Sequence, residues 1–236
     1  MLFFSMSQYE VEIKSLLGDV SVADAFRSKL LSSQGVQFRG SNRQLNHYFV
    51  ASAVSSSEQA VVALLKADLS FSDVSARARL EKIVKHGQNH SVRTREYDGH
   101  VFLVLKASVD DTTSSNGIAR MEFEEEVQGM TLDELDQILL SSGFIHQAKW
   151  SREREEYAFE GAVVTLDRNA GYGYLAEFEK VVSDPKEVSG AQIFLREILG
   201  QFDLEELSQE RLERMFAHYN ANWQEYYGTD KVFVIE

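Results

Sequence analysis

Charged residues alternate with apolar residues in several separate segments of this chain, and this repetition constrains the fold more than any other feature. The first instance is Glu10-Val11-Glu12-Ile13-Lys14. In an extended strand successive side chains point to opposite faces, so the three charged residues share one face and the two apolar residues share the other. A single strand of this kind is typical of the solvent-facing side of an ordinary sheet.

The same alternation recurs in later segments that are predicted as strands. Their charged faces carry Arg93 and Arg95; Lys106; Arg120, Glu122 and Glu124; Arg152 and Arg154; and Glu177 and Glu179. A closed antiparallel sheet, with helices on its apolar side and the charged side turned inward, satisfies all these segments at once. The predicted fold class is therefore α+β, a closed antiparallel β-tunnel of about eight strands with helices packed outside.

Helices are predicted where apolar residues return every three or four positions. This spacing occurs in residues 21–33, in an insertion at about 52–90 and in two segments beyond Pro185. We therefore expect a tunnel domain at residues 1–185, interrupted by the helical insertion, and a C-terminal helical appendage at 186–236.

The last hairpin of the sheet is predicted from two alternating segments and a glycine-rich turn. Its strands are expected at about 148–164 and 174–182, and its turn at 169–173. Gly171 and Gly173 also match part of a glycine-rich dinucleotide fingerprint, but that motif opens a helix and this segment continues as a strand.

Composition excludes several classes of function. The 236-residue chain contains no cysteine, so disulfides, thiolate metal sites and cysteine nucleophiles are not available to it. A formal net charge of -13 disfavours nucleic acid and anionic membranes as partners. No apolar run is long enough to span a membrane, and a cytoplasmic location is the default expectation.

Taken together, these motifs resemble those of the CYTH or triphosphate tunnel metalloenzyme superfamily, over about residues 9–182. The motifs that carry the resemblance, in chain order, are Glu10-Val-Glu12-Ile-Lys14, Arg93-Thr-Arg95 with Lys106, Arg120-Met-Glu122-Phe-Glu124, Arg152-Glu-Arg154, Asp167, and Glu177-Phe-Glu179. The spacing of the closing motifs is like that of bacterial class IV adenylyl cyclases, and the opening motif is the hallmark of the superfamily.

The resemblance implies a closed tunnel, a divalent metal ion and a substrate that carries a triphosphate or polyphosphate. The phosphate-binding residues that it implies are Arg93, Arg95, Lys106, Arg120, Arg152 and Arg154. The ligands that it implies for Mg²⁺ or Mn²⁺ are Glu10, Glu12, Asp167, Glu177 and Glu179. It also implies that Lys14 and Tyr48 orient or activate the attacking water. This inventory is chemically consistent, because arginine suits phosphate oxygens and carboxylates suit hard divalent cations.

The chain departs from the family pattern at two places near these motifs. Arg152 stands where the family has a lysine, and Asn46-His47 stands where it often has an acidic residue. Arginine keeps the charge of lysine but not its titratable amine. These departures leave the substrate open more than the fold.

Three functions remain open at the level of sequence. The first is a triphosphatase acting on inorganic triphosphate, thiamine triphosphate or a nucleoside triphosphate, which we favour because hydrolysis demands less of the site. The second is a class IV adenylyl cyclase, which must also hold adenine and place the α-phosphorus at the metal. The third is a non-catalytic polyphosphate-binding module. The sequence is compatible with a monomer or a homodimer.

Overall fold

The computed structural model describes residues 9–108 and 120–235, without the side chains of Tyr9, Glu10, Arg120 and Pro185. The predicted roles of Glu10 and Arg120 therefore lie outside the described side chains. Within the described part the chain forms eight strands and six helices. The prediction of an α+β protein with about eight antiparallel strands is confirmed.

The eight strands belong to one hydrogen-bonded sheet. The strands are β1 (Tyr9–Gly18), β2 (Gln37–Ala51), β3 (Gln88–Tyr97), β4 (His100–Ser108), β5 (Arg120–Glu126), β6 (Phe144–Phe159), β7 (Ala162–Asn169) and β8 (Gly173–Val182). Their order in the sheet is β1-β8-β7-β6-β2-β3-β4-β5. In contrast to the predicted closed tunnel, the described sheet begins at β1 and ends at β5. On β1 the carbonyl of Lys14 accepts a hydrogen bond of 2.7 Å from the backbone N–H of Leu207, so this position is occupied by a segment outside the sheet.

The helices are distributed along the chain between and after these strands. They are α1 (Val20–Ser32), α2 (Ser57–Leu65), α3 (Ala76–His86), α4 (Leu132–Ser141), α5 (Val188–Gln201) and α6 (Gln209–Tyr226). Helices α2 and α3 occupy the segment where a helical insertion is predicted. No helix in the described ranges is long and apolar enough to cross a membrane.

The chain divides into two compact units. Unit 1 comprises residues 1–43 and 152–236, and unit 2 comprises residues 44–151. Strands β2 and β6 each contribute residues to both units. The remaining strands belong to one unit each, with β1, β7 and β8 in unit 1 and β3, β4 and β5 in unit 2.

The core of unit 1 lies between one face of its strands and helices α1 and α5. Its buried residues include Val11, Ile13, Phe26, Tyr157, Val164, Leu166, Phe178, Leu195 and Ile198. Each fully buried aliphatic or aromatic side chain contributes about 1.5–3 kcal/mol to folding. Because α5 shares this core with β1 and β8, the helix that follows Pro185 is an integral part of the unit that holds the opening motif.

The core of unit 2 lies on the apolar face of its own strands. Its buried residues include Phe49, Val61, Leu64, Leu80, Ile83, Val92, Leu103, Leu105, Leu135 and Leu139. Helix α4 starts with a capping box in which Thr131 and Glu134 satisfy each other's backbone N–H groups. This cap starts the helix that places Leu135 and Leu139 against the strands.

The last hairpin differs from its prediction. The predicted single strand at 148–164 is instead divided into β6 and β7 by a two-residue turn at Glu160-Gly161. Both turn residues have positive φ, 50° and 81°, as a type I′ hairpin turn requires. Glutamate is an uncommon first residue for such a turn, which is why the sequence pattern predicts a continuous strand. The extra turn makes β7 a separate strand that carries Asp167.

Candidate functional site

Charged side chains of unit 1 share the face of the sheet opposite its core. Val11 and Ile13 of β1 are buried in the core, so Glu12 and Lys14 lie on the other face. The register places Glu12 opposite Glu179 and Lys14 opposite Glu177 on β8. Alternation in the strand and the antiparallel register therefore bring the opening motif next to the closing acidic pair.

Lys14 lies between two carboxylates of this face. Its Nζ atom forms an ion pair with Glu12 and another, at 3.0 Å, with Glu177. The lysine side chain is largely removed from solvent. Its charge is therefore held beside both acidic pairs of the predicted site.

Asp167 is the centre of an arginine cluster on the same face. Its carboxylate is fully buried, with 0% of the residue exposed. Arg154 donates from Nε to Oδ1 at 2.7 Å and from Nη2 to Oδ2 at 2.5 Å, and Arg152 donates from Nη1 to Oδ2 at 3.2 Å. Both carboxylate oxygens of Asp167 thus hold arginine donors in fixed positions, a bidentate arrangement that sets the plane of the Arg154 guanidinium.

Arg154 also donates to Glu177 at 2.5 Å. Burial raises the pKa of Glu177, but the charges of Lys14, Arg154 and Arg152 outweigh burial and lower this pKa to about 2. Burial lowers the pKa of Arg154, and its bonds to Asp167 and Glu177 more than compensate, so that its pKa is raised. Glu177 is therefore a carboxylate, and Arg154 a cation, throughout the physiological range.

The carboxylates of unit 1 are chemically suited to a hard divalent cation, but they are not equally suited. Glu12 and Glu179 are like charges directly opposite each other in the register, a pairing that is unfavourable unless a cation lies between them. Asp167 instead has both oxygens engaged by arginine. Among the described residues no group of three or more histidine, aspartate or glutamate side chains is close enough to hold a metal ion.

Unit 2 carries the second set of predicted residues on its own strands. Arg93 is opposite Tyr48 in the register, and its Nη1 donates to the Tyr48 hydroxyl at 2.9 Å. Its guanidinium carbon lies 5.6 Å from the centre of the Tyr48 ring. The Nε atom of Arg93 is buried without a hydrogen-bond partner in the described ranges.

The neighbouring cations of unit 2 have carboxylate partners. Arg95 donates to Asn46 at 2.9 Å and to Glu124 at 2.5 Å, and Lys106 pairs with Glu122 at 3.0 Å. Asn46 therefore holds Arg95 at a position where the family often has an acidic residue nearby. Arg93 differs from both cations, because the described part of the chain gives it no carboxylate partner.

The structure thus brings together two groups of predicted residues. In unit 1 they are Glu12, Lys14, Arg152, Arg154, Asp167, Glu177 and Glu179. In unit 2 they are Tyr48, Arg93, Arg95 and Lys106. Two polar residues of β7, the buried Thr165 and the half-buried Asn169, share the charged face of unit 1 but are not indicated by any sequence motif. They lie on this face because β7 runs from Ala162 to Asn169, whereas the sequence pattern predicts a strand that ends at about residue 164.

An antiparallel sheet that carries rows of arginine, lysine and glutamate on the face opposite its apolar core is typical of a protein that binds a multiply charged anion. The model of the CYTH domain family matches residues 8–211, and the chain belongs to this family. The family is a metal-dependent triphosphate tunnel family, and its members are triphosphatases or adenylyl cyclases. The match extends beyond Pro185 and includes all of α5.

Solved structures with the same fold come from distant organisms. The PH1819 protein of Pyrococcus horikoshii OT3 is 22% identical, with a TM-score of 0.57 and coverage of 89% of this chain and 99% of that chain. A candidate adenylate cyclase of Vibrio parahaemolyticus is 16% identical, with a TM-score of 0.55 and coverage of 89% and 99%. A candidate adenylyl cyclase of Hippeastrum, described as having a dominant triphosphatase activity, is 19% identical, with a TM-score of 0.51 and coverage of 87% and 95%. No curated protein matches the chain.

Proposed function

We propose that this protein is a divalent-metal-dependent triphosphatase that hydrolyses the terminal phosphoanhydride bond of an inorganic or organic triphosphate. The observation that carries this proposal is the state of Arg93. Its guanidinium is partly buried, it has no carboxylate partner among the described residues, and its Nε lacks an acceptor. Removing such a cation from water costs free energy unless an anion pairs with it. Phosphate oxygens match the donor geometry of arginine.

Arg152 and Arg154 are the corresponding phosphate-binding groups of unit 1. Their donors are held by Asp167, so little side-chain freedom remains to be lost when a phosphate binds. We therefore assign Asp167 as the residue that orients these arginines, while its predicted role as a metal ligand stays a prediction. Arg95 and Lys106 supply further positive charge in unit 2, and we assign Arg120 the same role from its motif.

The metal ion is proposed to be Mg²⁺ or Mn²⁺. Glu12 and Glu179 are the ligands that the register favours, and Glu10 and Glu177 complete the two acidic pairs in the motifs. When bound, such an ion neutralises phosphate charge and offsets the repulsion between the carboxylates and the substrate.

Lys14 and Tyr48 are proposed as the residues that position or activate the attacking water. Lys14 is held between Glu12 and Glu177, so its amine is fixed beside the acidic pairs. The Tyr48 hydroxyl accepts a hydrogen bond from Arg93, which fixes the position of the phenol. A fixed amine and a fixed phenol are both suitable for orienting a nucleophile.

Adenylyl cyclase activity is the second candidate, because the Vibrio parahaemolyticus neighbour is named for it. The Hippeastrum neighbour carries a cyclase name but is described with a dominant triphosphatase activity, which supports our preference for hydrolysis. Cyclisation of ATP needs the ribose 3′-hydroxyl placed at the α-phosphorus, whereas hydrolysis needs only water at the terminal phosphorus.

The test is to incubate the purified protein with inorganic triphosphate, thiamine triphosphate and ATP, each with Mg²⁺ or Mn²⁺, and to measure phosphate, pyrophosphate and cyclic AMP. We expect phosphate from at least one substrate. Glu12→Gln should lower turnover at limiting metal by at least a hundredfold, whereas Glu81→Gln, an exposed change on α3, should leave it unaltered. Cyclic AMP with pyrophosphate would establish the cyclase instead, and binding without any product would indicate a polyphosphate-binding module.

A further inference from the structure

Strand β7 places two uncharged polar side chains on the charged face of unit 1. Val164 and Leu166 of β7 are buried in the core. Alternation therefore puts Thr165, Asp167 and Asn169 on the opposite face, together with Lys14 and the arginines. Asp167 is fully engaged by arginine, but its two neighbours on this face are not.

Both neighbours of Asp167 have buried donor atoms without partners. Thr165 is only 5% exposed, and its hydroxyl oxygen has no hydrogen-bond partner in the described part of the chain. The same is true of the side-chain nitrogen of Asn169. A buried polar group without a partner costs free energy, and native proteins pair the great majority of such groups. Two such atoms on one strand are available to donate hydrogen bonds to a bound ligand.

The register places both residues beside the phosphate-binding groups. Thr165 is directly opposite Glu177 on β8, which is itself paired with Lys14. Asn169 is directly opposite Arg152 on β6. Directly opposite residues of an antiparallel pair have Cβ atoms about 4.5–5.5 Å apart. A ligand that reaches Arg152 and the environment of Lys14 is therefore within reach of both unpaired donors.

The chemistry of the two donors selects an anion over a metal ion. An amide nitrogen has no lone pair to offer a cation and acts only as a hydrogen-bond donor. A hydroxyl group can likewise donate a hydrogen bond to an anionic oxygen. The carboxylates beside Thr165 are already paired, Glu177 with Lys14 and Arg154, and Glu156 with Arg39. The natural acceptor for both donors is an anionic oxygen supplied from outside the chain.

We propose that the Thr165 hydroxyl and the Asn169 amide are substrate contacts that donate hydrogen bonds to phosphate oxygens of the triphosphate. This inference rests on the proposed function and deepens it, because it adds two neutral donors to the arginines and lysines. Neutral donors select for the shape of a phosphate chain without adding positive charge. They extend the binding surface along β7 on both sides of Asp167.

The decisive variant is Thr165→Val, which removes the hydroxyl and keeps the shape of the side chain. We expect the Kd for inorganic triphosphate, measured by calorimetry in EDTA, to rise about tenfold, and the KM of the metal-loaded enzyme to rise similarly. Thr165→Ser should retain the Kd of the parent within about threefold. Asn169→Leu should weaken binding by a comparable factor.

Thermal unfolding of the free protein distinguishes a substrate contact from a structural role. Removing a buried unpaired hydroxyl without changing shape is neutral or stabilising, so the Tm of free Thr165→Val should equal or exceed that of the parent. An unchanged Kd and KM in Thr165→Val, or a lowered Tm with unchanged Kd, would overturn the inference. If the parent neither binds nor hydrolyses a triphosphate, the proposed function fails and the inference with it. If only the variant result fails, the function stands without this contact.

Discussion

At the scale of single residues, two neighbouring arginines of β3 have opposite environments. Arg95 is paired with Glu124 and Asn46, whereas Arg93 has Tyr48 and no carboxylate in the described ranges. Truncating one partner of a hydrogen-bonded ion pair leaves the other desolvated and unpaired. Truncating a cation that has no counter-charge removes a cost instead. The two arginines should therefore respond differently to the same substitution.

We predict that Arg93→Ala and Arg95→Ala both weaken triphosphate binding, each by about 1.5–3 kcal/mol, the range for a hydrogen bond to a charged group. Only Arg95→Ala should lower the free energy of unfolding of the unliganded protein by more than about 1 kcal/mol, because it leaves Glu124 and Asn46 without this donor. Calorimetry gives the affinities and urea denaturation gives the stabilities. Equal stability losses in the two variants would show that the contact of Arg93 with Tyr48 stabilises the fold as much as the ion pair of Arg95 does.

At the scale of secondary-structure elements, helix α4 is attached to the strands of unit 2 by a buried polar cluster. Asp136 of α4 is 2% exposed. Its carboxylate lies 2.7 Å from His47 Nδ1 of β2, accepts from the Thr94 hydroxyl of β3 at 2.7 Å and pairs with Lys149 of β6 at 3.3 Å. Thr94 lies between Arg93 and Arg95, so the cluster supports the strand that carries both arginines. His47, which stands where the family often has an acidic residue, is thus a structural contact on the apolar side of the sheet.

The ionisation of Asp136 should contribute to stability. Burial raises its pKa, but hydrogen bonds from His47 and Thr94 and the charges of His47 and Lys149 outweigh burial, so the pKa is below its usual 3.8. A carboxyl group whose pKa is lower in the folded than in the unfolded state stabilises the fold fully above the unfolded value, and this contribution is lost as the pH falls through the folded value. The loss therefore lies below pH 3.8.

We predict that Asp136→Asn lowers the free energy of unfolding at pH 7 by about 1–3 kcal/mol, the cost of disrupting a buried hydrogen-bonded network. The difference between parent and variant should shrink as the pH is lowered below 3.8. Urea denaturation at several pH values between neutrality and strong acid gives this difference directly. Asp133→Asn, an exposed change on the same helix, is the control and should follow the parent throughout. A parent–variant difference that is independent of pH would exclude ionised Asp136 as its source.

At the scale of the whole molecule, the residues after Pro185 are built into unit 1. Helix α5 lies in its core, and Leu207 donates to the backbone of Lys14. Near the end of the chain, the N–H of Phe233 donates to the carbonyl of Gly171 at 2.8 Å, and the N–H of Gly171 donates to the carbonyl of Lys231 at 3.2 Å. The C-terminal part thus contacts both the opening motif and the β7–β8 turn.

Gly171 is the position where this contact can be tested. Its φ is +79°, and a Cβ atom there would lie 2.7 Å from the ring of Tyr219 and 2.8 Å from that of Phe233. Gly161 has a similar φ of +81°, but a Cβ atom added there would have no atom within 4 Å apart from its own chain neighbours, so Gly161→Ala incurs backbone strain alone. A comparison of Gly161→Ala with Gly171→Ala therefore separates the effect of backbone strain from the effect of packing against the C-terminal segment.

We predict that Gly161→Ala lowers the free energy of unfolding by about 1–2 kcal/mol, the strain of a left-handed alanine. Gly171→Ala should lower it by about 1–3 kcal/mol more, the usual cost of overpacking, because two aromatic rings must move. Urea denaturation of both variants measures the difference. Equal losses of unfolding free energy in the two variants would mean that Tyr219 and Phe233 move without an energetic cost. The C-terminal segment would then not stabilise the turn.

The sequence alone determined which residues share the charged face. Alternation is a local property of an extended backbone, so the positions of Glu12, Lys14, Arg152, Arg154 and Glu177 on that face follow from the order of the residues. The helices and the approximate number of strands were predictable for the same reason, because periodicity and capping are local. The order of the motifs along the chain then indicated the family.

Only the tertiary structure decided which charges pair, because pairing depends on register between distant strands. The turn at Glu160-Gly161 sets the register of β6 against β7, and with it the contacts of Asp167 with Arg152 and Arg154. The isolation of Arg93 from carboxylates in the described ranges and the burial of Thr165 also depend on side chains brought in from other strands. A strand's face is fixed by its own residues, but the environment of that face is fixed by its neighbours.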